Sequence, residues 1–237
     1  MKIIALESSA VTASVAVTED EALLAQSFQN SGLTHSATLM PMAADLLKNT
    51  GLSLDDIDVV AVAAGPGSFT GVRIGVAAAK GLAWPGDKPC APCSTLESMA
   101  WQCAHMDGEI CAAMDARRSQ VYCARFFAED GELKRLTEDR AMGLDELAEE
   151  VRASGKTQIL VGDGAHLVQK TLDAQGLPWR LAPPHLRYQT AWGVARAALE
   201  LARGDRLVPA AAMAPSYHRL SQAERERLER LKNGETQ

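Results

Sequence analysis

Long hydrophobic runs are missing from this sequence. No segment approaches the ~20 uninterrupted apolar residues of a membrane-spanning helix, and the opening run Met1–Leu6 stops at Glu7, which makes it too short for a secretory signal. The expectation is a cytoplasmic protein with no membrane contact. Cysteine is sparse and odd in number, at Cys90, Cys93, Cys103, Cys111 and Cys123, which argues against a disulfide framework. Cys90 and Cys93 have no second C-x2-C or H-x3-5-H pair to complete a zinc site, so the five read as small buried hydrophobes. Positive charge is in deficit: 24 Lys and Arg against 30 Asp and Glu give a net charge of -6. Counterion-driven binding to nucleic acid needs clustered cations, so this chain alone is a poor nucleic-acid binder.

What is present is ample core material, 47% hydrophobic residues in 237, with 23% charged. That suits one large α/β domain or two small units sharing a core. Lys2–Ser8 reads as a buried strand, and Thr12–Thr18 as a second strand with Ser14, Ala16 and Thr18 on one face and Ala13, Val15 and Val17 on the other. The acidic turn Glu19-Asp20-Glu21 leads into a third strand, Ala22–Phe28. The pattern recurs about 108 residues later: Ile110–Asp115 matches Lys2–Glu7 with Asp115 in the place of Glu7, and Gln120–Phe127, Glu129-Asp130-Gly131 and Glu132–Leu136 follow in the same order. Each meander precedes a helix, a strand and a helix, so the chain reads as two related α/β units. The expected division is residues 1–105, residues 106–218 as a smaller and less regular second lobe, and a charged helical tail, 219–237, opened by the capping box Ser221-Gln222-Ala223-Glu224.

The most informative segment is Gly65-Pro66-Gly67-Ser68-Phe69-Thr70-Gly71-Val72-Arg73-Ile74-Gly75, between the apolar strand Ile57–Ala64 and a helix ending at Trp84-Pro85-Gly86. A glycine-rich strand-to-helix loop offers backbone N–H groups and a helix dipole to an anion. It equally serves as a tight turn in which glycine permits positive φ and close helix packing. It is not a Walker loop, since no Gly-Lys-Ser/Thr follows, nor a dinucleotide fingerprint, since Thr70 stands where the third glycine belongs.

This segment, flanked by Asp58–Val62 and Lys80-Gly81-Leu82-Ala83, closely resembles the identifying stretch of the TsaB (YeaZ) family. Ser94–Ala100, Asp115-Ala116-Arg117 with Val121-Tyr122, and His35-Ser36 before Leu39-Met40-Pro41 fit that family in the same order. The resemblance implies the actin-like, sugar-kinase-like fold of duplicated ribonuclease-H-like lobes. It also implies a non-catalytic subunit in threonylcarbamoylation (t6A) of the tRNA adenosine next to the anticodon. The implied partners are the transferase TsaD, bound through the N-terminal lobe, and the ATPase TsaE, with tRNA met only through the complex and a homodimer open to the isolated chain. No cofactor is required on this reading, and weak ATP or ADP binding stays open. The sequence departs from the family at Glu7-Ser8-Ser9, in place of Asp-Thr-Ser, and at His35-Ser36-Ala37, in place of His-Ser-Glu. A transferase of this kind needs a His-x-x-x-His pair on a helix, and His35 is followed four residues later by Leu39.

The candidate nucleotide or anion residues are Glu7, Ser8, Gly65, Gly67, Ser68, Thr70, Gly71, Arg73 and Asp115. Glu7 and Asp115, closing equivalent strands, are expected to face each other across the inter-lobe cleft, either holding Mg2+ through water or standing as inherited strand-end acids. Arg73 meets an anion or pairs on the helix face it shares with Lys80. His35 caps or lies at the surface. Leu39, Met42, Ala43 and Leu46 on the first helix and Gly71, Gly75, Ala78 and Leu82 on the second are assigned to a close TsaD contact, with Ala43→Glu and Ala78→Glu expected to lose the partner and keep the fold. An ATP-dependent kinase or ATPase of the same fold is the alternative.

Overall fold

The computed structural model of the protein describes residues 1–218; the proposed tail helix lies outside them. The first unit runs β1 (Lys2–Glu7), β2 (Ala13–Glu19), β3 (Ala22–Gln29), α1 (His35–Thr50), β4 (Val59–Gly65), α2 (Phe69–Ala83), β5 (Cys90–Ser94) and α3 (Thr95–Trp101). The second runs β6 (Gly108–Arg117), β7 (Gln120–Glu129), β8 (Glu132–Arg135), β9 (Arg140–Gly143), α4 (Leu144–Ser154), β10 (Gln158–Val161), α5 (Ala165–Ala174), β11 (Trp179–Leu181) and α6 (Ala191–Arg203). One sheet has the order β3-β2-β1-β4-β5 and the other β8-β7-β6-β10-β11, with β9 paired to β7. In both, the first three strands are antiparallel and the last two are parallel to the first. Identical order and polarity bear out the duplication: the fold is α/β, two ribonuclease-H-like lobes in the actin-like arrangement.

Local chemistry sets the element ends. Gly51 takes a left-handed conformation, φ 69°, and its N–H closes α1 onto the Leu47 and Lys48 carbonyls, the usual glycine stop. Thr34 occupies the N-cap position without a side-chain bond. The N-cap of α2 is Ser68, whose side chain accepts from Gly71 N–H, so the helix starts at Phe69, inside the glycine-rich segment.

The first sheet is buried on both faces. Ile4, Leu6, Val15, Val17, Val60 and Val62 pack under α1 and α2; Ile3, Ala5, Ala16, Ala61 and Ala63 pack against α6. Both faces of β2 are therefore buried, Ser14, Ala16 and Thr18 as well as Ala13, Val15 and Val17. In the second sheet, Ile110, Ala112, Met114 and Phe126 meet α3, and Cys111, Ala113, Val121 and Cys123 meet α4 and α5.

The two central helices are thus exchanged. α3 follows the first sheet in the chain and packs mainly on the second; α6 follows the second sheet and packs on the first. A division at residue 105 separates each from the sheet it covers. Beyond α6 the chain stays with the first lobe, where Val208 bridges to Cys90 at the sheet edge and Ser216 N–H donates to Ala64 O at 2.7 Å. The second lobe carries six strands, and its irregularity lies in β8, β9 and β11, of four, four and three residues.

α3 and α6 touch where Gly193 meets Ser98: a Cβ on Gly193 would collide with the Ser98 carbonyl oxygen, whereas one on Gly81 in α2 would meet nothing. Helix propensity alone favours alanine over glycine by ~1 kcal/mol. Gly81→Ala should therefore stabilise by about 0.5–1 kcal/mol, and Gly193→Ala should destabilise by about 1–3 kcal/mol through overpacking. Urea unfolding of the two variants checks both signs.

Candidate functional site

The two lobes enclose a cleft of about 470 Å3, lined by Ser9, Ala10, Val11, Gly67, Ser68 and Phe69 from the first and by Met114, Asp115, Ala116, Arg117, Tyr122 and Asp163 from the second. Of the sequence-derived candidates, Gly67, Ser68 and Asp115 line it. The others have different roles.

The glycines of the Gly65–Gly75 segment are explained by backbone contact. A Cβ on Gly67 would strike Ser9 O, one on Gly71 would strike Ser8 O, and one on Gly75 would lie 2.6 Å from Ser8 Oγ. Gly65 has φ 129° and lies under Ser216, whose carbonyl oxygen a Cβ would strike. The loop is therefore pressed against the β1–β2 turn on one side and the C-terminal segment on the other. Ser68 N–H donates to Ser9 O at 2.6 Å, Gly71 N–H donates to Ser68 Oγ at 3.3 Å, and Ser8 Oγ donates to Gly71 O at 2.9 Å. Two N–H groups that an anion would use are already engaged. Of the two readings open in the sequence, the geometry fits close packing.

Among the described residues Arg73 pairs with no acid. Its guanidinium lies 3.8 Å from the Phe69 ring centroid and its Nε donates to Tyr217 Oη at 2.7 Å, while the Phe69 and Tyr217 rings stack at 5.0 Å. Lys80 Nζ reaches Ala211 O at 3.4 Å. Both cations hold the C-terminal segment against α2. Thr70 is exposed and lines no part of the cleft. His35 opens α1, with Nε2 2.8 Å from Ala10 O, and so secures the β1–β2 loop.

Glu7 does not face Asp115 across the cleft. It is completely buried, its Oε1 accepting from Ser9 N–H at 2.5 Å and Ser9 Oγ at 2.6 Å; Oε2 has no partner among the described residues. Burial pushes its carboxyl up to about 7, opposed by the two Ser9 bonds and reinforced by the charge of Asp163. A charged group out of water is costly, so near neutrality Glu7 holds its proton about half the time. Asp115 Oδ1 accepts from Arg117 N–H at 2.7 Å, and the carboxylate lies 3.7 Å from the Arg117 guanidinium.

Sequence reasoning missed Asp163. It follows β10 in Gly162-Asp163-Gly164, the second-lobe counterpart of Gly65-Pro66-Gly67. Gly162 has φ 105°, and Cβ atoms on Gly162 and Gly164 would strike the backbone of Ala113 and Met114 at the end of β6. The signal was a Gly-x-Gly between strand and helix at the equivalent place in the second unit. Burial raises the Asp163 carboxyl above its ordinary value, while Gln189 Nε2 donates to Oδ1 at 2.7 Å. Asp115 and Asp163 line the cleft, each close enough for its charge to act on the other, and the charge of Asp163 also reaches the buried Glu7. Among the described residues no group of three or more His, Cys, Asp or Glu has the arrangement of a metal site.

The five cysteines are free and buried. Burial raises the thiols of Cys93 and Cys103, the latter to about 12, so neither is a ready thiolate.

The residues assigned to a partner contact are inside their own lobe. Leu39, Met42, Ala43 and Leu46 on α1 are at most 7% exposed, and Gly71, Gly75 and Leu82 on α2 are buried, with Ala78 packed at the edge of the same core. Helical projection shows that both helices are apolar over more than one face but does not say which flank meets the sheet. The open stripes are Ala37, Met40, Pro41 and Ala44 on α1 and Arg73, Ala77, Gly81 and Trp84 beside or on α2, Trp84 being 71% exposed.

A family model described as TsaD, tRNA N6-adenosine threonylcarbamoyltransferase, matches residues 29–224. The chain is 32% identical over 173 residues to the tRNA threonylcarbamoyladenosine biosynthesis protein TsaB of Bacillus subtilis (strain 168), covering 73% of this chain and 76% of that one. With the protein of the same name from Escherichia coli (strain K12) it shares 39% identity over 128 residues, 53% of this chain and about half, 55%, of the relative. The solved structure of YeaZ from Pseudomonas aeruginosa is similar at a TM-score of 0.77 and 26% identity, over 91% of this chain and 99% of that one.

The buried carboxyl gives a pH dependence of definite sign. Below about 4.5 Glu7 is neutral folded or unfolded; between 4.5 and about 7 only the folded chain keeps the proton, so stability is lost as pH rises, by up to about 3 kcal/mol. Asp163 acts in the same direction. Glu7→Gln should therefore flatten the dependence without abolishing it and be at least as stable as the parent at pH 8, measured by urea unfolding at pH 5 and pH 8. Identical pH dependence in the two proteins would rule out a raised Glu7.

Proposed function

The chain belongs to the TsaB (YeaZ) family, and on that premise we propose that it serves tRNA threonylcarbamoyladenosine synthesis as a non-catalytic subunit, in the cytoplasm, binding TsaD through its first lobe and supporting that transferase's active arrangement. The observation that carries this reading is the glycine loop, whose close contacts and engaged N–H groups are taken up by packing. No lysine stands in the loop to neutralise phosphate charge, and acids floor the cleft beside it. None of the five histidines, at 35, 105, 166, 185 and 218, has the four-residue spacing of a His-x-x-x-His pair.

The partner surface consistent with burial is the paired exposed stripe of α1 and α2: Met40 and Ala44 on one helix, Ala77 and Gly81 on the other, and Trp84 at the end. Small residues let a second helix pair approach closely, while a large exposed aromatic such as Trp84 is the residue type that anchors interfaces. The net charge of -6 supports meeting tRNA only through the complex, in which TsaE is the third protein. The same stripe is available for homodimerisation when the chain is alone.

The purified chain alone should transfer no threonylcarbamoyl group to tRNA. Ala77→Glu should weaken TsaD capture and complex-dependent tRNA modification more than tenfold, because a charge desolvated without a partner costs ~2 kcal/mol or more, while its melting temperature stays near wild type. Ala43→Glu should instead unfold. Retained TsaD binding by Ala77→Glu would place the contact elsewhere.

The cleft keeps a second reading in view, an ATP-dependent kinase or ATPase, because Asp115 and Asp163 are open to a 470 Å3 space. Calorimetric titration with Mg-ATP separates the two: the expected result is binding no tighter than about 0.1 mM and no steady hydrolysis. Micromolar affinity with turnover that Asp115→Ala abolishes would favour the enzyme.

A further inference from the structure

A separate cavity of about 220 Å3 lies between α3, α6 and the β7–β8 turn and shares no lining residue with the inter-lobe cleft. Its helical side carries Trp101, Trp192 and Arg196, the β2–β3 turn adds Glu21, and the β7–β8 turn contributes Asp130 and Glu132. Both lobes therefore form it, first-lobe packing on one wall and a second-lobe hairpin on the other.

The two walls have opposite deficits. Trp101 is 4% exposed, and its indole N–H has no acceptor among the described residues. A buried tryptophan N–H ordinarily finds one. The Arg196 guanidinium lies 4.8 Å from the Trp101 ring centroid. Its Nη1 is likewise buried without a hydrogen bond, although Glu21 Oε1 is 3.3 Å away. That carboxylate oxygen is held more closely by Arg203, at 2.8 Å. On the other wall, the exposed carboxylates of Asp130 and Glu132 make no ion pair or side-chain hydrogen bond among the described residues. The turn bearing them is seated on His105, whose ring lies so close that a Cβ on Gly131 would be 2.8 Å from Cε1.

We propose that this cavity binds a small zwitterion of the free α-amino acid class. Its carboxylate accepts from Arg196 and, after a small shift of the indole, from Trp101. Its ammonium is held by Asp130 and Glu132, and its side chain lies along the faces of Trp101 and Trp192. Each alternative fails on charge or size. A simple anion meets the carboxylates of Asp130, Glu132 and Glu21, and a simple cation leaves the Trp101 N–H and Arg196 Nη1 without an acceptor; either leaves one wall unsatisfied. The volume holds roughly seven waters, which suits an amino acid and is too small for a nucleotide. A ligand contacting both walls would also tie the lobes together outside the cleft.

The proposal is independent of the role in tRNA modification, and its test uses the isolated full chain. Each of the twenty L-amino acids is titrated by calorimetry and by intrinsic tryptophan fluorescence, up to about 10 mM. The expected result is a saturable signal for at least one. Its N-acetyl derivative, which has no ammonium, and the matching amine, which has no carboxylate, should each bind at least about tenfold more weakly. Asp130→Asn combined with Glu132→Gln, both exposed, should weaken the zwitterion at least about tenfold with the melting temperature unchanged. The absence of saturable binding by any amino acid would overturn the proposal, as would binding indifferent to the N-acetyl group or to the double substitution.

Discussion

Backbone lies against backbone where the strand-to-helix loop crosses the first β-turn. At Gly67 and Gly71 the loop and the start of α2 meet the Ser9 and Ser8 carbonyls, and at Gly75 the helix lies against the Ser8 side chain, and most of the cleft follows from that approach. It fixes Ser9, which binds Glu7. It buries Glu7 beneath the cleft, and it brings the N-terminus of α2 within reach of the C-terminal segment. Van der Waals contact at this distance is intolerant of added volume, so the three glycines act as a single constraint.

The second lobe repeats the device with different residues. Gly162 and Gly164 close onto β6 as Gly67 closes onto Ser9 after β1, and the residue between them is an aspartate where the first lobe has Pro66. Duplication thus supplied two similar loops whose chemistry has diverged: one is packed and apolar, the other presents a carboxylate to the cleft. Exchange of α3 and α6 between the sheets joins the copies, because each central helix covers the sheet of the other unit while touching its counterpart at Gly193 and Ser98.

Much of this was legible in the residues. The internal repeat from Lys2–Glu7 to Ile110–Asp115 foretold two sheets of one topology, and the acidic turns marked strand ends correctly. The missed features depend on tertiary partners that a local pattern does not carry. Arg73 looked like an anion ligand because its partners, Phe69 on its own helix and Tyr217 far along the chain, combine only after folding. The burial of Ala43 and the exposure of Ala77 are set by which flank of each helix meets the sheet, and helices apolar on several sides leave that undecided. Glu7 and Asp115 were placed as a facing pair by symmetry alone. The structure separates them, since Ser9 draws Glu7 inward whereas Arg117 keeps Asp115 at the cleft wall.

The return of α6 to the first sheet has a consequence for synthesis. The face formed by Ile3, Ala5, Ala61 and Ala63 is covered by Ala191, Val194, Ala195 and Ala198, residues made more than a hundred positions later than the strands they cover. A ribosome that has finished β5 has therefore released a sheet with one side sealed by α1 and α2 and the other still bare. The first lobe cannot close as an independent unit during translation, and its completion waits for nearly the whole chain. Long-range closure of this kind is slow and leaves apolar surface open to wrong partners in the interval, which makes the nascent chain, rather than the finished protein, the stage most dependent on chaperones.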